Sequence, residues 1–201
     1  SIPVQSRITA GGALYLDHGQ QLFNLIVPKH LLGPTVAARL QKGAQILSEA
    51  LSTLGVASDF KPPNDLQTAS RQKIASVVLA ERGNSVLLSG SIICELDLKS
   101  AMQALSVPTE KLTVTGLEHA RERMTSLADE LGSKVSMSTL HDAVAQAFAR
   151  SLHLAFHRQP DLEDEIEPDP LAPPKPWLVT EHSIETKDKV AGATFRLLLT
   201  I

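Results

Sequence analysis

Lys73-Ile74-Ala75-Ser76-Val77-Val78-Leu79-Ala80-Glu81-Arg82-Gly83-Asn84-Ser85-Val86-Leu87-Leu88-Ser89-Gly90-Ser91-Ile92-Ile93-Cys94-Glu95-Leu96 is the stretch that decides the fold. Lys73 to Ala80 is strand-like, Glu81 to Asn84 supplies a polar turn, and Ser85 to Leu96 is strand-like again. The stretch therefore reads as part of a β-meander. Gly90 inside the second strand predicts a bulge, or a close approach by ligand or backbone. Upstream, Gln21 to Val27 reads as a strand stopped by Pro28. Gly33-Pro34 opens a helix whose Val36, Leu40, Ala44, Leu47, Leu51 and Leu54 form one apolar stripe ending near Gly55. Val56 to Phe60 is a short strand before Pro62-Pro63. Downstream, Asp97 is placed to cap a short helix through Leu105, ended by Pro108, and Glu118 to Leu131 is mixed and partly helical. The clearest later helix runs from about Ser138 to Leu154, with Leu140, Val144, Ala147, Phe148 and Leu152 on one face. These elements predict an α/β (α+β) fold with a mixed or antiparallel central sheet flanked by helices.

At 201 residues, 43% of them hydrophobic, the chain fits one ordinary domain with or without an appendage. Aromatics make up only 3%, so the core is expected to be built from Leu, Val, Ile and Ala. A net charge of −3 argues against a nucleic-acid binder. No apolar run approaches the ~20 residues that span a bilayer, and the first residues do not read as a secretory n-region and h-region. The single cysteine, Cys94, excludes an intramolecular disulfide and reads as an inert core thiol. The cytoplasm is the expected compartment, with neither nucleic acid nor membrane as partner. Composition shifts after residue 157: residues 158–176 are proline-rich and acidic, cannot bury enough apolar surface to order themselves, and read as a linker. Trp177-Leu178-Val179 and Ala193 to Ile201 read as two strands joined by the polar stretch Glu181 to Lys189. A lone hairpin is marginal in water, so residues 177–201 are expected to pair with the core (residues 1–157) or with another chain.

Three further motifs carry the candidate chemistry. Arg7-Ile8-Thr9-Ala10-Gly11-Gly12-Ala13-Leu14-Tyr15-Leu16-Asp17 sets an arginine and a hydroxyl residue before a glycine turn, where backbone N–H groups can approach a ligand. Asn64-Asp65-Leu66 and Lys73-Ile74-Ala75 follow. In this order the motifs resemble the lipoate–protein ligase family, within the wider biotin/lipoate ligase and octanoyltransferase group. Over about residues 5–150, Arg7, Thr9, Gly11, Gly12, Ala13 and Asp17 match the arginine–glycine motif of the family. Ala120 to Leu127 resembles the segment that closes the ligase core.

The resemblance implies a fold like that of class II aminoacyl-tRNA synthetases and biotin synthetase. It further implies activation of lipoate or octanoate with ATP and Mg²⁺ as an acyl-adenylate, followed by transfer to a lysine of a lipoyl carrier domain. That carrier would be a 2-oxoacid dehydrogenase E2 or a glycine cleavage H-like protein. Lys73 matches the catalytic lysine, which stabilises charge on phosphate and acyl oxygen. By the same correspondence Arg7, Thr9, Gly11, Gly12, Ala13, Asn64, Asp65, Ser76, Gly90 and Ser91 bind substrate or nucleotide, with Asp65 as the metal position.

The chain also departs from the pattern. Ala10 and Ser76 stand where the family has glycine, and Leu16, Leu88 and Ser89 stand where it has histidine. The strand–helix–strand unit that precedes the arginine motif in the family is not found before Arg7, so the expectation is a second polypeptide completing the sheet, a self-associated form or a fragment. The alternatives are a non-catalytic lipoyl-binding or assembly subunit, or an octanoyltransferase that needs no ATP. His153 and His157 have the i, i+4 spacing of a helical metal pair but lack a third ligand, and read as the end of a polar helix face.

Overall fold

The computed structural model describes residues 7–9, 14–105, 118 and 120–156, together with the backbone of 178–180 and 183–185. Its centre is a five-stranded antiparallel sheet of β1 (Gln20–Pro28), β2 (Asp59–Lys61), β3 (Asp65–Gln67), β4 (Lys73–Arg82) and β5 (Ser85–Ile93), in the order β1-β5-β4-β3-β2. Strands β4 and β5 are the predicted part of the meander, β2 overlaps the strand expected at Val56 to Phe60, β3 is an addition not expected from the sequence, and β1 closes onto β5. The helices are α1 (Lys29–Leu32), α2 (Val36–Thr53), α3 (Leu98–Ala104), α4 (Leu127–Leu131) and α5 (Met137–Leu152). None of the described helices is long and apolar enough to cross a membrane.

Local chemistry explains these boundaries. Thr35, Asp97, Ser126 and Ser136 cap α2, α3, α4 and α5, each side chain accepting a first-turn backbone N–H. Period-two alternation then sorts the strands. Phe23, Leu25 and Val27 of β1, Val77 and Leu79 of β4, and Val86, Leu88 and Ile92 of β5 face one way. They enclose a core with Ala44, Leu47 and Leu51 of α2 and Val144, Ala147 and Phe148 of α5. Helix α2 comes so near β5 that a Cβ on Gly43 would lie 2.6 Å from Leu88 Cδ2. The opposite sheet face carries Asp65, Ser76, Ser91, Asn24 and Ser89.

Several expectations change in detail. Glu81 and Arg82 belong to β4, because pairing continues to Arg82↔Ser85 and the turn is only Gly83-Asn84. Strand β5 stops at Ile93, where Cys94 and Glu95 donate backbone N–H groups to Gly19 O. Val36, assigned to the buried stripe, is 50% exposed at the first turn of α2, whereas Arg39 is buried there. Arg39 is held by Glu81 and by Pro34 O at 3.0 Å. Helix α5 ends at Leu152, with His153 in left-handed conformation at φ 55°, so His153 lies beyond the helix. His157 lies outside the described residues, as do Pro108, the linker and the strand expected at Ala193 to Ile201. The second C-terminal strand described is β7 (Ser183–Glu185), inside the stretch read as a connection. It pairs with β6 (Leu178–Thr180) as a separate two-stranded sheet.

Candidate functional site

The pairing of β3 with β4 positions Lys73. Asp65 lies opposite Ser76 and Leu66 opposite Ala75, but Gln67 lies opposite Lys73, so β4 carries one extra residue at Ile74. This bulge inverts the alternation. With regular pairing, Lys73 would share the parity of Ala75 and Val77 and point into the core. With the bulge, its side chain joins Asp65, Ser76 and Ser91 on the face opposite the helices. Lys73 Nζ stands 2.7 Å from Asp65 Oδ1, with both side chains about one-third exposed (32% and 30%). Asp65 Oδ1 is itself shielded from solvent, and the contact is ionic without hydrogen-bond alignment.

Beside the pair, Ser76 and Ser91 face each other across β4 and β5 with their Oγ atoms 3.2 Å apart, both buried. One register step further, Ser89 Oγ donates to Asn24 Oδ1 at 2.6 Å. Asn64 sits in the turn before β3, where its carbonyl accepts from Val77 N at 2.8 Å. The backbone of Lys73 is held from another direction. Its N–H donates to Arg123 O at 2.8 Å and its carbonyl accepts from Thr125 N at 3.0 Å. The segment resembling the family's core-closing stretch therefore docks on the start of β4.

The structure thus brings Lys73, Asp65, Ser76 and Ser91 together on one surface, with Asn64 at its margin. Gly90 is different: its register partner Phe23 lies directly over it, on the core side. The close approach here is made by an aromatic ring, not by the ligand or backbone expected, and pairing through Gly90 is continuous, so there is no bulge either. Leu88, at one of the family's imidazole positions, is fully buried in the core. Arg7 is exposed, whereas Thr9 is buried with its Oγ1 lacking a hydrogen-bond partner among the described residues. Gly11, Gly12 and Ala13 lie outside the described residues. Asp17 turns inward, accepting from Gly19 N at 2.7 Å, and so stabilises its own turn. Among the described residues no group of three His, Cys, Asp or Glu side chains could hold a metal ion. Sequence reasoning missed Gln72, whose side chain reaches the backbone at Arg121 and Met124.

Residues 1–149 match the family model described as the lipoyl protein ligase A/B catalytic domain. The chain is 26% identical over 137 residues to lipoate–protein ligase 1 of Staphylococcus aureus, covering 68% of this chain and 40% of that protein. It is 26% identical over 171 residues to lipoate–protein ligase A subunit 1 of Thermoplasma acidophilum, covering 82% and 64% respectively. Among solved structures, it resembles a chain of a bipartite lipoate protein ligase with its E2 lipoyl domain from T. acidophilum. That match has a TM-score of 0.67 and 24% identity, over 76% of this chain and 59% of that one. A lipoate–protein ligase A bound with ATP gives a TM-score of 0.61 at 23% identity, over 76% and 60%. The chain thus spans between about two-fifths and two-thirds of the length of these relatives.

Proposed function

Since this chain belongs to the lipoyl protein ligase A/B catalytic-domain family, we propose that it carries the acyl-transfer site of a lipoate–protein ligase. In this reading it activates lipoate or octanoate with ATP and passes the acyl group to a lysine on a lipoyl carrier domain. The observation that carries the reading is the β4 bulge, which sets Lys73 beside Asp65, Ser76 and Ser91.

The residues fit such substrates. An ion pair about one-third exposed contributes only about 0.2–1 kcal/mol. An incoming carboxylate or phosphate can therefore recruit the Lys73 ammonium from Asp65 at little cost. As negative charge builds on the acyl oxygen and the phosphate, an ammonium projecting from a sheet strand at that place stabilises it. The buried Thr9 Oγ1, without a hydrogen-bond partner among the described residues, is a donor suited to an anion oxygen, since an orphaned buried hydroxyl costs about 1–3 kcal/mol. Magnesium would neutralise phosphate charge, held mainly by the nucleotide and water with Asp65 as the protein carboxylate. When the carrier lysine attacks the acyl carbonyl, Lys73 can hold the charge of the departing phosphate, and the proton of the amine passes to solvent. The likeness to a subunit of the bipartite T. acidophilum ligase and its E2 lipoyl domain supports a second polypeptide and a carrier domain as partners in this reading.

Incubation with ATP, Mg²⁺, lipoate and a lipoyl domain, with and without a candidate second subunit, tests this by intact mass. The expected result is one lipoyl increment on the domain, abolished by Lys73→Ala. No increment in either mixture overturns the reading in favour of a binding or assembly subunit. Transfer from octanoyl carrier protein without ATP would replace it with an octanoyltransferase.

A further inference from the structure

Gln72, next to Lys73, makes a set of contacts that the motifs of the site do not call for. Its Nε2 donates to Arg121 O at 2.6 Å and to Met124 O at 3.2 Å, two carbonyls of one distant turn. Its Oε1 accepts from Ser70 Oγ at 3.0 Å, and Ser70 Oγ lies 2.8 Å from Thr68 Oγ1. The loop that presents Gln72 is closed by its own backbone. Thr68 N donates to Gln72 O at 3.0 Å and Arg71 N to Thr68 O at 2.8 Å, with Arg71 at φ 65°. The adjacent residue continues the junction through Lys73 N to Arg123 O and Thr125 N to Lys73 O. Two consecutive residues thus make four hydrogen bonds to the 121–125 segment.

This junction sits where β4 is least regular. The extra residue at Ile74 interrupts the ladder with β3, and β5 has already ended at Ile93. The 121–125 segment takes over as backbone partner at Lys73, and Gln72 pins that segment through both ends of one turn. We propose that Gln72 is a positioning residue: its amide clamps the 121–125 turn and so fixes the backbone from which Lys73 projects toward substrate. The proposal rests on the reading of Lys73 given above. It follows from geometry that a small error in placing a charge-stabilising group has a large kinetic effect.

Gln72→Glu is the discriminating variant. It keeps the shape, removes the N–H donor, and turns a carboxylate toward two carbonyl oxygens. Gln72→Lys keeps a donor at that place. In the full chain, with its second subunit where transfer requires one, hydrogen exchange at the Lys73 and Thr125 amides is read beside kcat and KM for lipoate. For Gln72→Glu the expected result is faster exchange at both amides and kcat lowered about tenfold or more with KM within about twofold. Gln72→Lys should restore both readings toward the parent. Parent-like exchange in Gln72→Glu, equal impairment of the two variants, or a loss confined to KM overturns the clamp. If the parent transfers nothing, the functional reading fails by itself, and accelerated exchange in Gln72→Glu with recovery in Gln72→Lys still decides for or against the clamp.

Discussion

Phe23 lies so closely over Gly90 that a Cβ built on the glycine would sit 2.0 Å from Phe23 Cε1. The two are register partners on β1 and β5, and the Phe23 ring also meets that of Phe148 with centroids 5.3 Å apart. The missing side chain at 90 is therefore what lets β1, β5 and α5 close around one aromatic pair. Gly90→Ala should destabilise the fold by about 1–3 kcal/mol through overpacking. Urea unfolding followed by circular dichroism measures this, and an unchanged midpoint would contradict the packing described here.

Lys73→Ala separates chemistry from stability. Because Lys73 and Asp65 are each about one-third exposed, removing the pair should change the unfolding free energy by no more than about 1 kcal/mol. Carrier-domain acylation should meanwhile disappear. A loss of activity accompanied by a large fall in melting temperature would place Lys73 in the framework instead of the chemistry.

Glu81 gives the fold an acid-sensitive tie. A hydrogen bond from Lys29 (Nζ to Oε2, 2.7 Å), with the charge of Arg39 in support, holds its carboxyl below the ordinary value of 4.5. A group whose folded pKa is lowered contributes fully above its unfolded pKa, and that contribution is lost as pH falls through the folded one. Melting temperature should therefore drop more steeply below about pH 4.5 in the parent than in Glu81→Gln. Parallel profiles for the two proteins would remove the linkage.

Cys94 should be chemically silent. Burial pushes its thiol up to about 11, so at pH 8 almost none is present as the reactive thiolate. Thiol titration with a chromogenic disulfide at that pH should give no colour in the native protein and one equivalent after denaturation. Prompt reaction of the native protein would show that the strand end at Ile93 opens to solvent.

Much of this was legible from residue order. The meander was readable because Lys73 to Ile93 alternates around Gly83-Asn84, and Lys73 and Asp65 were readable because their motifs have recognisable neighbours. Their joint placement was not. Strict alternation puts Lys73 on the core side, and only the bulge at Ile74, a product of pairing with β3, turns it outward. Gly90 showed the same limit: a close approach could be foreseen, but its occupant comes from β1, far away in sequence. Gln72 offered no local signal, since its partners are carbonyls of a turn about fifty residues later, and carbonyls leave no mark in side-chain identity. Val36 fitted a helical stripe, but periodicity does not tell where along the helix the neighbouring layer stops.

The meander from Asp59 to Ile93 has a consequence for how the molecule assembles itself. Asp65, Lys73, Ser76 and Ser91 all sit on successive strands joined by short turns. Their mutual arrangement needs only loops that close cheaply. Phe23 on Gly90, and α5 on α2, must close long loops, which is entropically slower. The hydroxyl and charged surface should therefore take shape early, as a hairpin array still lacking its aromatic closure. Substitutions in β1 would then act chiefly on the rate at which the finished domain comes apart.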